Sequence, residues 1–132
     1  MKLVDTSSWI HFINPKFKSP NNPDLRELIR NKEAVLCDFV RLELQSYKDS
    51  ENKAVSLLTG TLPNLETNPQ VWTLACEIAL KCRKKGIVIP NSDILIYTIA
   101  MHHGCLLFHQ DKHFDWLDEI TGRQIARMRT IS

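Results

Sequence analysis

The feature that most restricts this chain is a set of three short apolar runs, Leu3-Val4, Ala34–Cys37 and Cys105–Phe108, set far apart and divided by stretches of helical spacing. Runs this short cannot be helices, and their aliphatic content suits strands. Long helical connections between strands are what parallel pairing requires, so the pattern predicts an α/β fold with a mostly parallel sheet. Asp5 follows the first run, and His109-Gln110-Asp111 follow the last.

Between the strands, Thr6-Ser7-Ser8 offers caps for a helix carrying Trp9, Ile10, Phe12 and Ile13. Asn14 to Pro23 reads as a loop, and helical spacing resumes over Asp24–Arg30. Phe39–Tyr47 is an expected helix with Glu43 on its more polar side, and Lys53–Leu58 another. After a loop from Pro63 to Pro69, apolar residues recur at Val71, Leu74, Ala75, Ile78, Ala79 and Cys82, and the basic residues Lys81–Lys85 suit the C-terminus of that helix. Ile87–Pro90 is a candidate extended piece. Asn91-Ser92-Asp93 then start an apolar helix that Gly104 closes, and a turn after Asp111 leads to a candidate last strand at Gln124-Ile125-Ala126. Trp9 and Trp72 lie in apolar periodic stretches and are expected in the core.

A length of 132 residues fits one domain, 1–132, with 43% hydrophobic residues and few Gly or Pro. A net charge of +2 decides little about partners. The basic run Lys81–Lys85 and Arg123, Arg127 and Arg129 are either RNA-phosphate contacts or solvated surface. The four cysteines form no C-x-x-C pair and read as buried thiols, and the start of the chain lacks the apolar region of a secretory signal. The longest uncharged apolar stretch, Ile94–Met101, falls far short of the ~20 residues that span a bilayer. A reducing cytoplasm without membrane attachment is the expectation.

Four carboxylates carry the chemistry. Asp5 and Asp111 stand at the C-terminal ends of predicted strands, where open parallel sheets gather their ligands. Asp93 opens a helix, and Glu43 sits in a helix that follows a strand, so both can line the same crevice. Converging carboxylates repel one another unless cations neutralise them, and oxygen donors select Mg²⁺ or Mn²⁺ over Zn²⁺. Such a site can hydrolyse a phosphodiester. His109, Asp111 and His113 also have a spacing that can chelate zinc along an extended segment, although histidines beside a loop are ordinarily surface groups. A phosphatase using Asp5 as nucleophile would want a second Asp two residues on, where Ser7 stands.

The blocks Leu3-Val4-Asp5-Thr6-Ser7-Ser8-Trp9-Ile10, Leu42-Glu43-Leu44, Pro90-Asn91-Ser92-Asp93-Ile94-Leu95-Ile96 and Leu107-Phe108-His109-Gln110-Asp111-Lys112-His113-Phe114 resemble, in order and spacing, the four acidic motifs of PIN domains. The likeness covers nearly the whole chain, and its compact length is similar to the VapC toxins of toxin–antitoxin pairs. The resemblance implies a three-layer α/β/α sandwich with a mostly parallel central sheet. It implies a Mg²⁺-dependent endoribonuclease, with Mn²⁺ as a substitute ion and tRNA as the expected substrate. The implied partners are a VapB-like antitoxin, whose C-terminal segment fills the crevice, and a second copy in a homodimer. By resemblance, Asp5 and Asp93 are the principal metal ligands, Glu43 and Asp111 complete the catalytic set, Thr6 and Lys112 contact substrate, and Asp115 is a helper. One departure is His109, where the family often has Ser or Thr. It motivates an alternative, a non-cleaving PIN-like module that binds RNA or a partner.

Overall fold

A computed structural model describes residues 1–13, 22–47 and 60–126 of the chain. Four strands, β1 (Lys2–Val4), β2 (Ala34–Cys37), β3 (Asn64–Leu65) and β4 (Leu106–Phe108), form one sheet in the order β3-β2-β1-β4, with every pair parallel. Among the described residues the helices are α1 (Thr6–Ile13), α2 (Asn22–Arg30), α3 (Asp38–Ser46), α4 (Pro69–Lys84), α5 (Asn91–His102) and α6 (Lys112–Thr121). The chain moves outward from β1 through β2 to β3, then returns across the sheet to β4. Right-handed crossovers therefore place α1–α3 on one face and α4–α5 on the other, with α6 joining the second group. The helix contacts follow that division, α1 packing on α2 and α3, and α4, α5 and α6 packing on one another. This is the expected three-layer α/β/α sandwich.

The core explains why the strands are continuous apolar runs: Leu3, Val4, Ala34, Val35, Leu36, Cys37 and Leu107 are buried, as strands covered on both faces must be. α5 is apolar all round and lies buried from Ile94 to Ala100. Of the four thiols, Cys37, Cys82 and Cys105 are buried and Cys76 is exposed.

The structure corrects several expectations. The Pro63–Pro69 loop contains β3, a two-residue edge strand too short to carry an alternating pattern. Its Asn64 is held instead by side chains, accepting from Arg41 Nε at 2.9 Å and donating to Asp38 at 2.9 Å. The segment after Asp111 is a full helix, α6, with Phe114, Leu117 and Ile120 buried and Gly122 closing it in the left-handed region at φ 72°. Gln124–Ala126 is not a strand. Ile125 O accepts from Leu107 N at 2.8 Å, but the amides of Ile125 and Ala126 turn to the Asp118 carboxylate rather than to a neighbouring strand. Ile87–Pro90 forms no strand, and α2 starts at Asn22, inside the expected loop. Trp72 is 53% exposed rather than core, because Val71, Ala75, Ile78 and Cys82 take the buried face of α4. The expected helix Lys53–Leu58, together with Arg127 and Arg129, lies outside the described residues. Among the described residues, no helix is long and apolar enough to cross a membrane.

Candidate metal and active site

β1 and β4 are neighbours, yet the helices that follow them leave on opposite faces. A crevice opens between their C-terminal ends, the position at which open parallel sheets bind ligands. Val4 is in register with Phe108, and the Asp5 amide donates to Phe108 O at 3.1 Å, so Asp5 stands level with the β4–α6 turn.

Both strand-end carboxylates also cap the helices they introduce. Asp5 Oδ1 accepts the Ser8 amide at 3.1 Å in the first turn of α1, while Oδ2 accepts the Ser7 hydroxyl at 2.7 Å. Asp111 Oδ1 accepts the His113 amide at 2.9 Å at the start of α6. Asp93 lies in the first turn of α5. Three helix N-termini thus carry these acids, and their partial positive charge eases the gathering of carboxylates. Glu43 comes from α3 and accepts a short hydrogen bond from the hydroxyl of Thr6, the residue after Asp5. Thr6 therefore orients Glu43.

The β4–α6 turn is fixed from three sides. His109 is 1% exposed. Its Nδ1 accepts the Asp111 amide at 3.1 Å, which leaves the proton on Nε2 to be donated to Ala126 O at 2.7 Å. Gln110 Oε1 meets His11 Nδ1 of α1 at 2.6 Å. The backbone end of this chain of contacts is anchored by Asp118, which is buried and accepts from Tyr97 Oη at 2.7 Å and from the Ile125 and Ala126 amides at 3.1 and 3.0 Å.

Asp93, Asp111 and His113 bring one ligand atom each to within 4.8 Å of one another. His113 Nδ1 lies 3.0 Å from Asp93 Oδ2 and 3.1 Å from Asp111 Oδ1. Burial pushes the Asp93 carboxyl above the usual carboxylate range, His113 opposes that shift, and the charges of Asp111 and Asp5 add to it. Burial likewise raises Asp5, against the hydrogen bonds from Ser8 and Ser7. Among the described residues, the basic side chain at salt-bridge distance from these carboxylates is His113, with no Lys or Arg there. Mutually repelling, partly desolvated carboxylates without a cationic side chain fit a divalent cation, and the donor set is suited to one.

The sequence-predicted residues are thus distributed unequally. Asp93 and Asp111 converge directly, Asp5 acts on Asp93 through its charge, and Glu43 is joined to the Asp5 side through Thr6. Asp115 faces His109 Nε2 at 3.7 Å rather than the carboxylate cluster, and Lys112 Nζ lies 5.3 Å from the centroid of the Trp116 ring. The His109–Asp111–His113 chelate does not form: Asp111 and His113 belong to a helix start rather than an extended segment, and both His109 nitrogens are engaged elsewhere. Sequence reasoning passed over His113 as a companion of Asp93 and Asp118 as the anchor. An Asp capping a helix with His two residues on was the signal for the first; the second left none.

The PIN domain family matches residues 2–120. Ribonuclease VapC11 of Mycobacterium tuberculosis is 27% identical over 135 residues, covering 98% of this chain and 100% of that protein. The VapC ribonuclease Mb1587 of Mycobacterium bovis has the same identity and coverage. Among solved structures, VapBC2 from Rickettsia felis bound to a DNA fragment from its promoter superposes with a TM-score of 0.69 at 21% identity, covering 84% of this chain and 87% of that chain. FitAcB from Neisseria gonorrhoeae gives a TM-score of 0.70 at 17% identity over 90% of this chain and 94% of that chain.

Proposed function

Starting from a chain that belongs to the PIN domain family, we propose that it is a divalent-metal-dependent endoribonuclease, the toxin half of a toxin–antitoxin pair, hydrolysing RNA phosphodiester bonds with tRNA as the expected substrate. The observation that carries this reading is the placement of Asp5, Asp93 and Asp111 at three helix N-termini, where burial and then the charges of Asp111 and Asp5 raise the Asp93 pKa and, among the described residues, no Lys or Arg is paired to them. The 27% identity to VapC ribonucleases over nearly the full chain supports the same reaction.

Asp5, Asp93 and Asp111 would hold the ion, with Glu43 completing the acidic set; Mg²⁺ is the ion expected for oxygen donors, and Mn²⁺ its substitute. When bound, the ion offsets the negative charge that grows on the scissile phosphate and its leaving oxygen. The protein supplies orientation. Ser7 and Ser8 lock both oxygens of Asp5, Thr6 aims Glu43, and His109 fixes the backbone of Asp111. Glu43, whose partner among the described residues is the neutral Thr6 hydroxyl, is the carboxylate best able to accept a proton from an attacking water. Lys112, exposed beside Asp111, supplies positive charge for the RNA backbone. Asp115 acts on His109 and helps only indirectly.

The partners in this reading are RNA, a VapB-like antitoxin and a second copy of the chain. The complexes among the structural neighbours support the antitoxin. His109, the departure that motivated a non-cleaving module, serves as a positioning residue, so that alternative has no observation of its own. The test is expression in a bacterial host, with growth and the 5′ ends of cellular RNA followed together. The chain should arrest growth and generate discrete new ends, and Asp5→Asn or Asp93→Asn should abolish both. Arrest that survives both substitutions without new ends would overturn the proposal.

A further inference from the structure

We infer that His113 is itself a metal ligand, and that its imidazole shifts the site's preference from Mg²⁺ toward a first-row transition ion such as Mn²⁺. This rests on the metal-dependent reading above and adds to it a nitrogen donor that the four-carboxylate set lacks.

The geometry is that of a cation site with a proton standing in for the cation. His113 Nδ1 lies between Asp93 Oδ2 at 3.0 Å and Asp111 Oδ1 at 3.1 Å. One N–H cannot bond fully to two carboxylate oxygens, whereas an ion replacing that proton meets all three atoms, which lie within 4.8 Å of one another. The ring is also held in place. Its own backbone amide is tied to the Asp111 carboxylate at 2.9 Å, and the ring packs edge-on against Trp116, with centroids 5.4 Å apart and planes at 61°. Trp116 is in turn covered by Lys112. A ligand oriented before the ion arrives is the arrangement that strengthens a metal site. Imidazole suits first-row transition ions, most strongly those after Mn²⁺, whereas Mg²⁺ prefers oxygen and retains its waters, so Mn²⁺ is the weakest ion of the row on which the nitrogen should still tell.

His109 and His11, the other imidazoles near the turn, are committed to Ala126 O and the Asp111 amide and to Gln110. A nitrogen signal from the bound ion therefore reports on His113. The experiment is pulsed electron paramagnetic resonance of Mn²⁺ added to purified protein, paired with calorimetric titration of Mn²⁺ and Mg²⁺, for the wild type and His113→Asp. The aspartate keeps a donor at this position, now a carboxylate oxygen, and removes the nitrogen. The expected result is imidazole ¹⁴N coupling in the wild type and none in His113→Asp, with the Mn²⁺-over-Mg²⁺ preference falling about tenfold or more. Mn²⁺ that binds the wild type without ¹⁴N coupling, or coupling that survives in His113→Asp, overturns the role of His113 and leaves the carboxylate site standing. Absence of Mn²⁺ binding at millimolar concentration overturns both. Should His113→Asp fail to fold, the wild-type spectrum alone decides, because the coupling is either present or absent there.

Discussion

The two walls of the crevice hold their carboxylates in opposite ways. On the α1–α3 wall, Asp5 and Glu43 are bound by neutral donors, the hydroxyls of Ser7 and Thr6 and the amide of Ser8, all from one turn of α1. On the α5–α6 wall, Asp93 and Asp111 face each other across a single imidazole, and the charges of Asp111 and Asp5 both raise the Asp93 pKa. The first wall is complete as it stands. The second is a cluster of like charges whose favourable state needs a cation, so it should carry most of the metal affinity, while the first contributes Asp5 as a ligand whose direction its own helix has already set.

The contrast breaks most sharply at Asp93. Asp93→Asn should lower RNA cleavage by about 10²-fold or more, roughly 3 kcal/mol of transition-state stabilisation. It should leave the metal-free protein as stable as before or more stable by about 1 kcal/mol, because it removes a desolvated charge repelled by its neighbours. Cleavage assays and thermal melts read the two halves separately, and a large loss of stability would mean that the second wall is structural.

An effect of similar size, in stability rather than chemistry, belongs to Asp118. Asp118→Ala leaves the Ile125 and Ala126 amides without their acceptor and the Tyr97 hydroxyl with Thr121 as its remaining partner, and should cost about 3 kcal/mol, seen as a fall in melting temperature of roughly 10 °C.

Next is the response of stability to pH and metal. Asp5 and Asp93 hold protons to higher pH when folded than when unfolded. The stabilisation from these groups is present below the ordinary carboxylate range and is lost as pH rises through the raised values. A divalent ion offsets that loss, so the rise in melting temperature on adding Mg²⁺ or Mn²⁺ should be larger at about pH 7.5 than at about pH 5, approaching ~2.7 kcal/mol at a hundredfold excess over the dissociation constant. A gain that shrinks as pH rises would contradict the charge balance assigned to the second wall. The smallest effect is on the first wall. Thr6→Val should lower cleavage about tenfold with metal affinity unchanged, and cost about 1 kcal/mol in stability.

The same division governs what could be read from the chain alone. β1, β2 and β4 were legible because strands buried on both faces are plain apolar runs, and the return across the sheet from β3 to β4, on the far side of β1, then forces the crevice into place. Asp5 and Asp111 were legible as strand-end acids for the same reason. β3 was not, since two residues held by Arg41 and Asp38 leave no periodic trace, and α6 was obscured because Asp111 reads as a loop acid until its capping role is seen. Trp72 misled because an apolar residue on an amphipathic helix is assigned inward by pattern, and only packing shows which face is covered. The buried path from Asp118 through Ala126 and His109 to Asp111 joins residues whose contacts no spacing rule anticipates.

The most direct measurement is cleavage of a purified RNA pool by protein stripped with a chelator and then returned to Mg²⁺ or Mn²⁺, alongside Asp5→Asn and Asp93→Asn. Discrete products should appear only with the restored ion and only in the wild type. Equal cleavage in the stripped protein, or in both variants, would contradict a metal-dependent carboxylate site.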